Sequence, residues 1–165
     1  MIKIDAPFTK DKWKDIHAGD TVLLTGRIIT ARDQAHKRAI IENNTLIKDA
    51  VIFYTGPTFK DGHISSCGPT TSSRMDPFYQ AFIDLGMAAS IGKGPRAKEI
   101  IRLSNENNVP YFIIPGGLGA LTALSVQNCE LLAYPDLKSE AIYALDVKDL
   151  KLIVAYDIYG NSIFE

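Results

Sequence analysis

The chain has 165 residues, of which 46% are hydrophobic and 22% charged, enough for one domain with a full core. Its formal net charge of -1 lacks the basic footprint that nucleic-acid-binding domains show, which argues against a nucleic-acid partner. No apolar run approaches the roughly 18 residues of a membrane span, and the first residues lack the apolar centre of a signal peptide, so we expect a cytoplasmic protein without membrane attachment.

The N-terminal segment 1–20 is polar and is broken by a proline and a glycine. It predicts an irregular arm with one short helical turn, which Trp13 and Ile16 attach to the domain. The next segment, TVLLTGRIIT at 21–30, is rich in β-branched and apolar residues. It predicts a strand with a bulge or bend at Gly26.

A charged helical pattern, ARDQAHKRAIIENN, follows at 31–44. Arg32 stands where the strand meets the helix, which is a usual position for a ligand-contacting residue in a βα connection. Arg32 and His36 are four residues apart, so on a helix they share a face. A solvated charged turn on the surface would produce the same pattern, and this alternative stays open.

The polar segment CGPTTSSRMDPF at 67–78 follows a short apolar strand at 50–54 and a loop at 55–63. Four hydroxyl residues at 70–73 are natural N-cap residues, so a helix is predicted to begin among them. The N–H groups of its first turn, together with Arg74, would form an electropositive nest for an anion. Helix capping alone is the alternative, although one such residue would suffice for it.

The predicted helix after this loop carries an apolar stripe at helical spacing, which we interpret as core. The stripe consists of Met75, Phe78, Tyr79, Phe82 and Ile83. A buried strand is predicted at 87–91, and a helix is predicted to begin with Pro95. Lys93 then projects from the loop between them and is a second cation in the same structural position as Arg74. The alternative is an exposed turn lysine.

A glycine-rich turn through Gly116, Gly117 and Gly119 follows an apolar strand at 111–114 and precedes a helix. The dinucleotide-binding fingerprint would need a glycine or alanine where Thr122 stands, and the sequence contains no P-loop motif. We therefore expect these glycines to allow close backbone approach to a substrate or to a neighbouring chain.

The last third predicts strands at 129–135, 140–147 and 151–157. Strands and helices alternate in the middle of the chain, and further strands are added at its ends, which is typical of an α/β domain. The two cysteines, Cys67 and Cys129, lie far apart and form no CxxC pair. They predict neither a disulfide framework nor a metal site.

Several of these segments together resemble the β subunit of two-subunit class I fumarate hydratase and L-tartrate dehydratase. The segments are, in chain order, ARDQAHKR, FYTGPT, GPTTSSRMDPF, IGKGP, IPGGLGALTA and EAIYALDVKDLKLIVAYDIYGN. The match runs along nearly the whole chain. It implies that residues 1–165 form a single α/β domain, a swivelling β/β/α domain with a mixed sheet. It also implies a hydro-lyase that interconverts fumarate and L-malate or dehydrates tartrate.

The resemblance further implies a [4Fe–4S] cluster whose three cysteine ligands belong to an α subunit and not to this chain. The chain itself would hold no metal, and the enzyme would be active only with the α subunit, usually as an α2β2 assembly. In such clusters the iron without a protein ligand can bind substrate oxygens. This chain would then form the other wall of the site.

That wall would have to bind a C4 dicarboxylate, which carries two negative charges, and Arg32, Arg74 and Lys93 suit this role. In the family the base is the threonine four residues before the motif arginine, which is Thr70 here. A hydroxyl needs a partner carboxylate to act as a base, and we expect the α subunit to supply one. The expected supporting residues are Asp33, His36, Thr71, Ser72 and Ser73. His36 could equally be a satisfied histidine at the helix start.

Two other classes of function remain open from the sequence. A stand-alone binding module for anionic metabolites would bind dicarboxylates or phosphates tightly without a partner. A scaffold or assembly role would tolerate changes at Arg74 and Lys93. The choice between fumarate, tartrate and mesaconate also remains open, because one substituent is recognised by pocket shape that both subunits contribute.

Overall fold

The computed structural model describes residues 1–114 and 118–164. Its strands are β1 (Ile2–Asp5), β2 (Thr21–Thr30), β3 (Val51–Phe53), β4 (Thr58–Lys60), β5 (His63–Ser66), β6 (Ala89–Gly92), β7 (Tyr111–Ile113), β8 (Val126–Ala133) and β9 (Ile142–Tyr156). Its α-helices are α1 (Asp33–Glu42), α2 (Tyr79–Asp84), α3 (Lys98–Asn107) and α4 (Gly119–Leu124). Short 3₁₀ helices lie at Lys10–Trp13, Thr45–Ile47, Ser72–Phe78 and Pro135–Glu140. Among the described residues, no helix is long and apolar enough to cross a membrane.

Five strands close on themselves as a barrel. Strands β2, β3, β6 and β7 pair in parallel, and β9 closes the ring by pairing antiparallel with both β7 and β2. Strand β1 lies beside β2, and β8 lies beside β9, while β4 and β5 form a separate hairpin. The predicted α/β class, with a mixed sheet in one domain, is confirmed. Swivelling, which is a movement, stays a prediction.

The alternation of side chains along each strand separates two cores. In β6, for example, Ala89 and Ile91 belong to the cluster inside the barrel, whereas Ser90 contacts residues outside it. Ile52 of β3 and Tyr54, directly after β3, belong to a second cluster, which packs between the barrel and helices α1, α2 and α3. This outer cluster contains Met75, Tyr79 and Phe82 of the predicted apolar stripe, with Phe78 and Ile83 partly buried against it.

The N-terminal segment is more ordered than the irregular arm that the sequence predicts. Residues Ile2–Asp5 form β1, which pairs in parallel with the first half of β2. Trp13 and Ile16 are buried inside the barrel. Strand β2 has the predicted bounds, and its register with β9 shifts between Leu24 and Gly26, so the predicted bulge at Gly26 is confirmed.

Three other predictions differ from the structure. The loop predicted at 55–63 contributes to the β4–β5 hairpin. The strands predicted at 140–147 and 151–157 are one strand, β9, in which Asp149 adopts a φ of 50° and donates its N–H to the Thr25 hydroxyl. Helix α3 begins at Lys98 rather than at Pro95, because the Ala97 N–H donates to the Asp76 carboxylate instead of entering a helical turn.

Candidate functional site

The candidate site lies at the carboxyl ends of parallel strands β2, β3 and β6. The chain leaves β2 at Arg32, and it leaves β6 at Lys93. In parallel α/β sheets, both open and closed into barrels, ligands usually bind at the carboxyl ends of the strands, where loops from several strands meet. The parallel pairing therefore brings together residues that are far apart in the sequence.

An ion pair connects the start of α1 to the loop that carries the predicted substrate-binding arginine. Arg74 Nη2 donates to Asp33 Oδ1 at 3.0 Å, and the two side chains are 48% and 29% exposed. An exposed pair of this kind adds little to stability. Its effect is to fix the direction of the Arg74 guanidinium relative to Arg32, which occupies the N-cap position of α1.

Ser72 connects the segment 70–78, which carries Arg74 (the Arg74 loop), to the segment 93–97 after β6, which carries Lys93 (the Lys93 loop). We call this connection the Ser72 joint. The Ser72 N–H donates to the Lys93 carbonyl at 3.0 Å, and its Oγ accepts the Lys93 N–H at 3.0 Å. Its hydroxyl also lies 2.7 Å from that of Tyr111, which donates to the Gly94 carbonyl at 2.8 Å. Thr71 forms a parallel β-bridge with Lys93. Because Ser72 is fully buried, its partners fix both loops in one arrangement.

This joint changes the predicted helix start. The segment Ser72–Phe78 is a 3₁₀ helix, and within the described residues the Thr71 side chain forms no capping hydrogen bond. The Ser72 N–H, which the sequence assigned to an anion nest, is already bonded to the Lys93 carbonyl. The site's positive charge therefore comes from side chains more than from a helix terminus.

Gly92 makes the joint possible. A Cβ at this position would lie 1.8 Å from Ser72 Oγ and 2.9 Å from Tyr54 Cδ2. No side chain fits such a gap, so only glycine allows β6 to approach Ser72 so closely.

Thr70 is held against the end of β3. Its N–H donates to the Tyr54 carbonyl at 2.7 Å, and the buried Thr55 hydroxyl donates to the Gly68 carbonyl at 2.7 Å. The Thr70 side chain is half-buried, and its hydroxyl forms no hydrogen bond with any other residue in 1–114 or 118–164. The backbone is therefore fixed while the hydroxyl stays available.

Two of the three cations have no carboxylate partner in the part of the chain that the structure describes. Neither Arg32 nor Lys93 takes part in an ion pair there. The Arg32 Nε is also buried without a hydrogen-bond partner among those residues. A buried donor without a partner costs about 1–3 kcal/mol, so an acceptor from outside these residues would be favoured at this position.

His36 is buried in the outer core and does not line the site with its ring. The ring stacks on Phe82 with centroids 4.1 Å apart, and Nδ1 lies 2.8 Å from the Arg32 carbonyl. Burial lowers its pKa to about 4, so the ring is neutral at neutral pH and Nδ1 carries the donated proton. This environment matches the satisfied helix-start histidine. Ser73, by contrast, is exposed and forms no hydrogen bond with the other described site residues.

Arg96 is a residue of this region that sequence reasoning missed. Its side chain is fully buried, and Nε donates to Asp76 Oδ1 at 2.6 Å. Its guanidinium carbon lies 4.6 to 5.0 Å from the ring centroids of Tyr54, Tyr79 and Tyr111. Burial lowers its pKa, but the neighbouring tyrosines and Asp76 more than offset this, so the pKa stands above its ordinary value. The local sequence GPRAKE resembles an exposed helix start and gives no signal of burial.

The described residues do not fit an iron–sulfur cluster. They contain no group of three or more His, Cys, Asp or Glu side chains that could hold a metal ion. Cys67 is buried, which raises its pKa to about 12, and Cys129 is half-buried. A thiol with so high a pKa is a poor source of the thiolate that such clusters need. That an α subunit holds the cluster stays a prediction.

Close backbone approach is confirmed at one glycine of the predicted turn, and its partner is this same chain. A Cβ on Gly119 would lie 2.3 Å from Ser66 Oγ and 2.9 Å from the Gly68 nitrogen. Gly119 thereby supports the loop before Thr70, and its carbonyl accepts the Cys67 N–H. Gly116 and Gly117 lie outside the described residues.

The fold and this edge define a class: an α/β barrel domain that gathers cationic and hydroxyl side chains at the carboxyl ends of its parallel strands. Residues 1–165 match the family model described as fumarase C-terminus. The chain therefore belongs to the fumarase C-terminal family.

Relatives with known names agree with this assignment. The chain is 37% identical to "Putative L(+)-tartrate dehydratase subunit beta" of Methanocaldococcus jannaschii, covering 95% of this chain and 88% of that protein. It is 31% identical to L(+)-tartrate dehydratase subunit beta of Escherichia coli, covering 97% and 85%. It is also 31% identical to "Putative fumarate hydratase class I" of Geobacillus stearothermophilus, covering all of this chain but 34% of that protein. By these names the family is one of hydro-lyases.

Proposed function

We propose that this chain is the β subunit of an iron–sulfur-dependent hydro-lyase that reversibly hydrates fumarate to L-malate. It would supply the anion-binding wall and the base of a site that an α subunit completes. The observation that carries the proposal is the convergence of Arg32, Arg74, Lys93 and Thr70 at one edge of the barrel.

The cations would bind the two carboxylates of the substrate. Arg32 and Lys93 have no carboxylate partner among the described residues, and Arg74 has only Asp33, so the edge keeps an excess of positive charge. Charged hydrogen bonds to a carboxylate are stronger than neutral ones. The same groups would stabilise the negative charge that develops beside a carboxylate when the neighbouring carbon loses its proton.

Thr70 would take that proton. Its backbone is fixed to Tyr54, while its hydroxyl has no partner among the described residues. A threonine hydroxyl is a weak base, so the proton it accepts must be balanced by loss of its own proton to a carboxylate. We propose that the α subunit supplies this carboxylate and also holds the [4Fe–4S] cluster, in an α2β2 assembly. The cluster would supply a Lewis acid for the departing hydroxyl.

Dehydration of L(+)-tartrate is a second candidate, favoured by the names of the Methanocaldococcus and Escherichia relatives. Tartrate is also a C4 dicarboxylate, and the three cations would bind it in the same way. The two reactions differ by one hydroxyl on the substrate, whose recognition depends on the shape of the completed pocket.

The test is hydration of fumarate, followed anaerobically as loss of its ultraviolet absorbance. The chain is assayed alone and then with its candidate α subunit carrying a reconstituted cluster, with L-tartrate and mesaconate as parallel substrates. Activity in the mixture alone supports the proposal, and the preferred substrate decides between the two candidates. Activity from this chain alone, or from neither sample while the chain binds dicarboxylates tightly by itself, contradicts it.

Thr70→Val tests the assigned base with nearly the same side-chain shape. Turnover in the assembled enzyme should be abolished, while folding and subunit association stay unchanged. The matched control is Thr45→Val, because Thr45 is an exposed threonine between α1 and β3 and lies outside the proposed site. Normal turnover of Thr70→Val would show that the base lies elsewhere.

A further inference from the structure

Arg96 occupies a central position beneath the site without reaching the surface. Its side chain has no exposed area, and its guanidinium is surrounded by Tyr54, Tyr79 and Tyr111. A charged group in this environment is costly unless it is well paired. The electron-rich faces of three aromatic rings and the Asp76 carboxylate compensate part of this cost, while Arg96 Nη2 is buried without a hydrogen-bond partner among the described residues.

Both hydrogen-bond partners of the Arg96 guanidinium belong to segments that carry a site residue. Asp76 lies two residues after Arg74, and its second carboxylate oxygen accepts the Ala97 N–H at 2.9 Å. Ser90, which accepts from Arg96 Nη1 at 3.3 Å, lies on β6 three residues before Lys93. Arg96 therefore links the Arg74 loop to the strand that leads to Lys93.

The tyrosines around Arg96 extend the same connection to the base and to the joint between the loops. The Tyr54 carbonyl accepts the Thr70 N–H, and the Tyr111 hydroxyl lies 2.7 Å from Ser72 Oγ. The backbone N–H of Arg96 in turn donates to the hydroxyl of Tyr156, the last residue of β9, at 2.8 Å. This bond fixes the backbone of Arg96 against the end of β9.

We propose that Arg96 is a positioning residue, which holds the Thr70–Arg74 loop and the Lys93 loop in the relative arrangement that the site requires. The expected effect on catalysis rests on the proposed function. The effect on the arrangement of the two loops, which is the structural part, does not. An apolar side chain of similar length could fill the volume, but removing Arg96 alone leaves the Asp76 carboxylate, which is only 11% exposed, without its charge partner. What an apolar residue cannot do is direct the Asp76 carboxylate.

The structural part is tested by amide hydrogen exchange of the full chain with Arg96→Met. The Ser72, Lys93 and Ala97 amides should exchange at least tenfold faster, because each donates to a partner that this network positions. The matched control is Leu103→Ala, a buried change in the same core layer, and it should leave these amides unchanged relative to the barrel strands. Equal exchange in Arg96→Met and the control would overturn the proposal.

Asp76→Asn is a second variant, which keeps the shape of the side chain and removes its charge. It should accelerate the same three amides, so the proposal stays testable if Arg96→Met does not fold. Unchanged exchange in Asp76→Asn would overturn the claim that this carboxylate transmits the effect of Arg96.

The catalytic part is tested in the complex with the α subunit, at a temperature where every variant is folded. We expect kcat/KM of Arg96→Met to fall about tenfold. Arg96→Lys should recover most of this loss, because it keeps a charged donor for Asp76. Leu103→Ala should have the kcat/KM of the unchanged protein. Faster exchange with unchanged kcat/KM would overturn the catalytic consequence. If the unchanged protein hydrates no substrate, the proposed function fails, and the exchange results still decide the positioning role.

Discussion

The inner and outer faces of the barrel differ in chemistry although they belong to the same strands. The cluster inside the barrel is dominated by apolar side chains, such as Phe53, Phe112 and Leu145, and its one indole N–H among the described residues, that of Trp13, is buried without a hydrogen-bond partner. The layer between the barrel and the helices also contains buried polar groups, among them His36, Ser72 and Arg96, and these contact the loops of the candidate site.

The comparison indicates that the two faces of the barrel have different roles. The inner face can bury apolar surface without any polar compensation, which is the main source of folding free energy. The outer face accepts buried polar groups, most of which are paired, although Arg96 Nη2 has no hydrogen-bond partner among the described residues. Changes to the inner face should therefore affect stability alone, whereas changes to the outer-face polar groups that contact the site loops should also affect activity.

The largest effect is expected inside the barrel. Leu145→Ala removes most of a fully buried side chain and should lower the free energy of unfolding by about 2–5 kcal/mol in urea denaturation. The assembled enzyme, assayed well below the melting temperature, should keep its kcat and KM. The control is Leu131→Ala on β8, where the leucine is 48% exposed, and it should cost less than about 0.5 kcal/mol. A large change in kcat for Leu145→Ala would break the division between the faces.

Arg74→Ala is the converse case. Loss of the proposed charged contact to the substrate should lower kcat/KM at least about 100-fold, which corresponds to about 3 kcal/mol. The melting temperature should hardly change, because the Arg74–Asp33 pair is exposed. Arg102→Ala serves as the control, since Arg102 is an exposed arginine paired with Glu106 on α3. Near-normal turnover of Arg74→Ala would refute its assigned role.

Protonation of His36, a residue of the outer layer, should make the free energy of unfolding depend on pH. Burial lowers the pKa of His36 from 6.5 to about 4, so the folded protein binds fewer protons than the unfolded chain between these values. Stability from this group is fully present above pH 6.5 and is lost as the pH falls towards 4. The loss between pH 7 and pH 4.5 should be about 2–3 kcal/mol.

The measurement is the free energy of unfolding of the unchanged protein and of His36→Leu at both pH values. The variant should lack this part of the pH dependence, whereas His63→Leu, a change at an exposed histidine of the hairpin, should retain it. Identical pH profiles for His36→Leu and the unchanged protein would contradict the prediction.

The smallest of these effects is expected at Gly92, the last residue of β6, which lies against Ser72. Gly92→Ala would place a methyl group 1.8 Å from Ser72 Oγ, so the two loops must separate. We expect a loss of about 1–3 kcal/mol in stability, together with reduced turnover per folded molecule. Gly94→Ala is the control in the same loop, because its Cβ would contact nothing within 4 Å, although its φ of +82° adds backbone strain. If Gly94→Ala reduced turnover more than Gly92→Ala, the Ser72 joint would not control the site.

Much of this architecture follows from local sequence patterns. The strand predicted at 21–30 has the bounds of β2, because β-branched and apolar residues fill it. The apolar stripe that begins at Met75 is buried, because its spacing matches a helix packed on one face. The location of Arg32 and Lys93 at one edge of the barrel also follows from the sequence, because each stands just after a predicted strand.

Other features depend on distant partners and could not be predicted locally. Strand β1 has only four residues, and pairing with β2 orders it. Asp149 resembles a turn residue, yet its bond to Thr25 keeps β9 continuous. Arg96 resembles a surface residue, and it is buried only because tyrosines from three separate segments surround it. The Asp61–Gly62 pair was a signal for the β4–β5 hairpin, because this dipeptide favours tight turns.

The pairing of β2 with β9 has a consequence for how the chain reaches its native state. Thr21 pairs with Ile153, so the two strands that close the barrel are more than a hundred residues apart. Contacts of such long range slow folding, and β2 keeps an unpaired edge until β9 has been synthesised. A circular permutant that begins at β9, and so places this strand before β1 and β2, should fold faster and aggregate less during refolding.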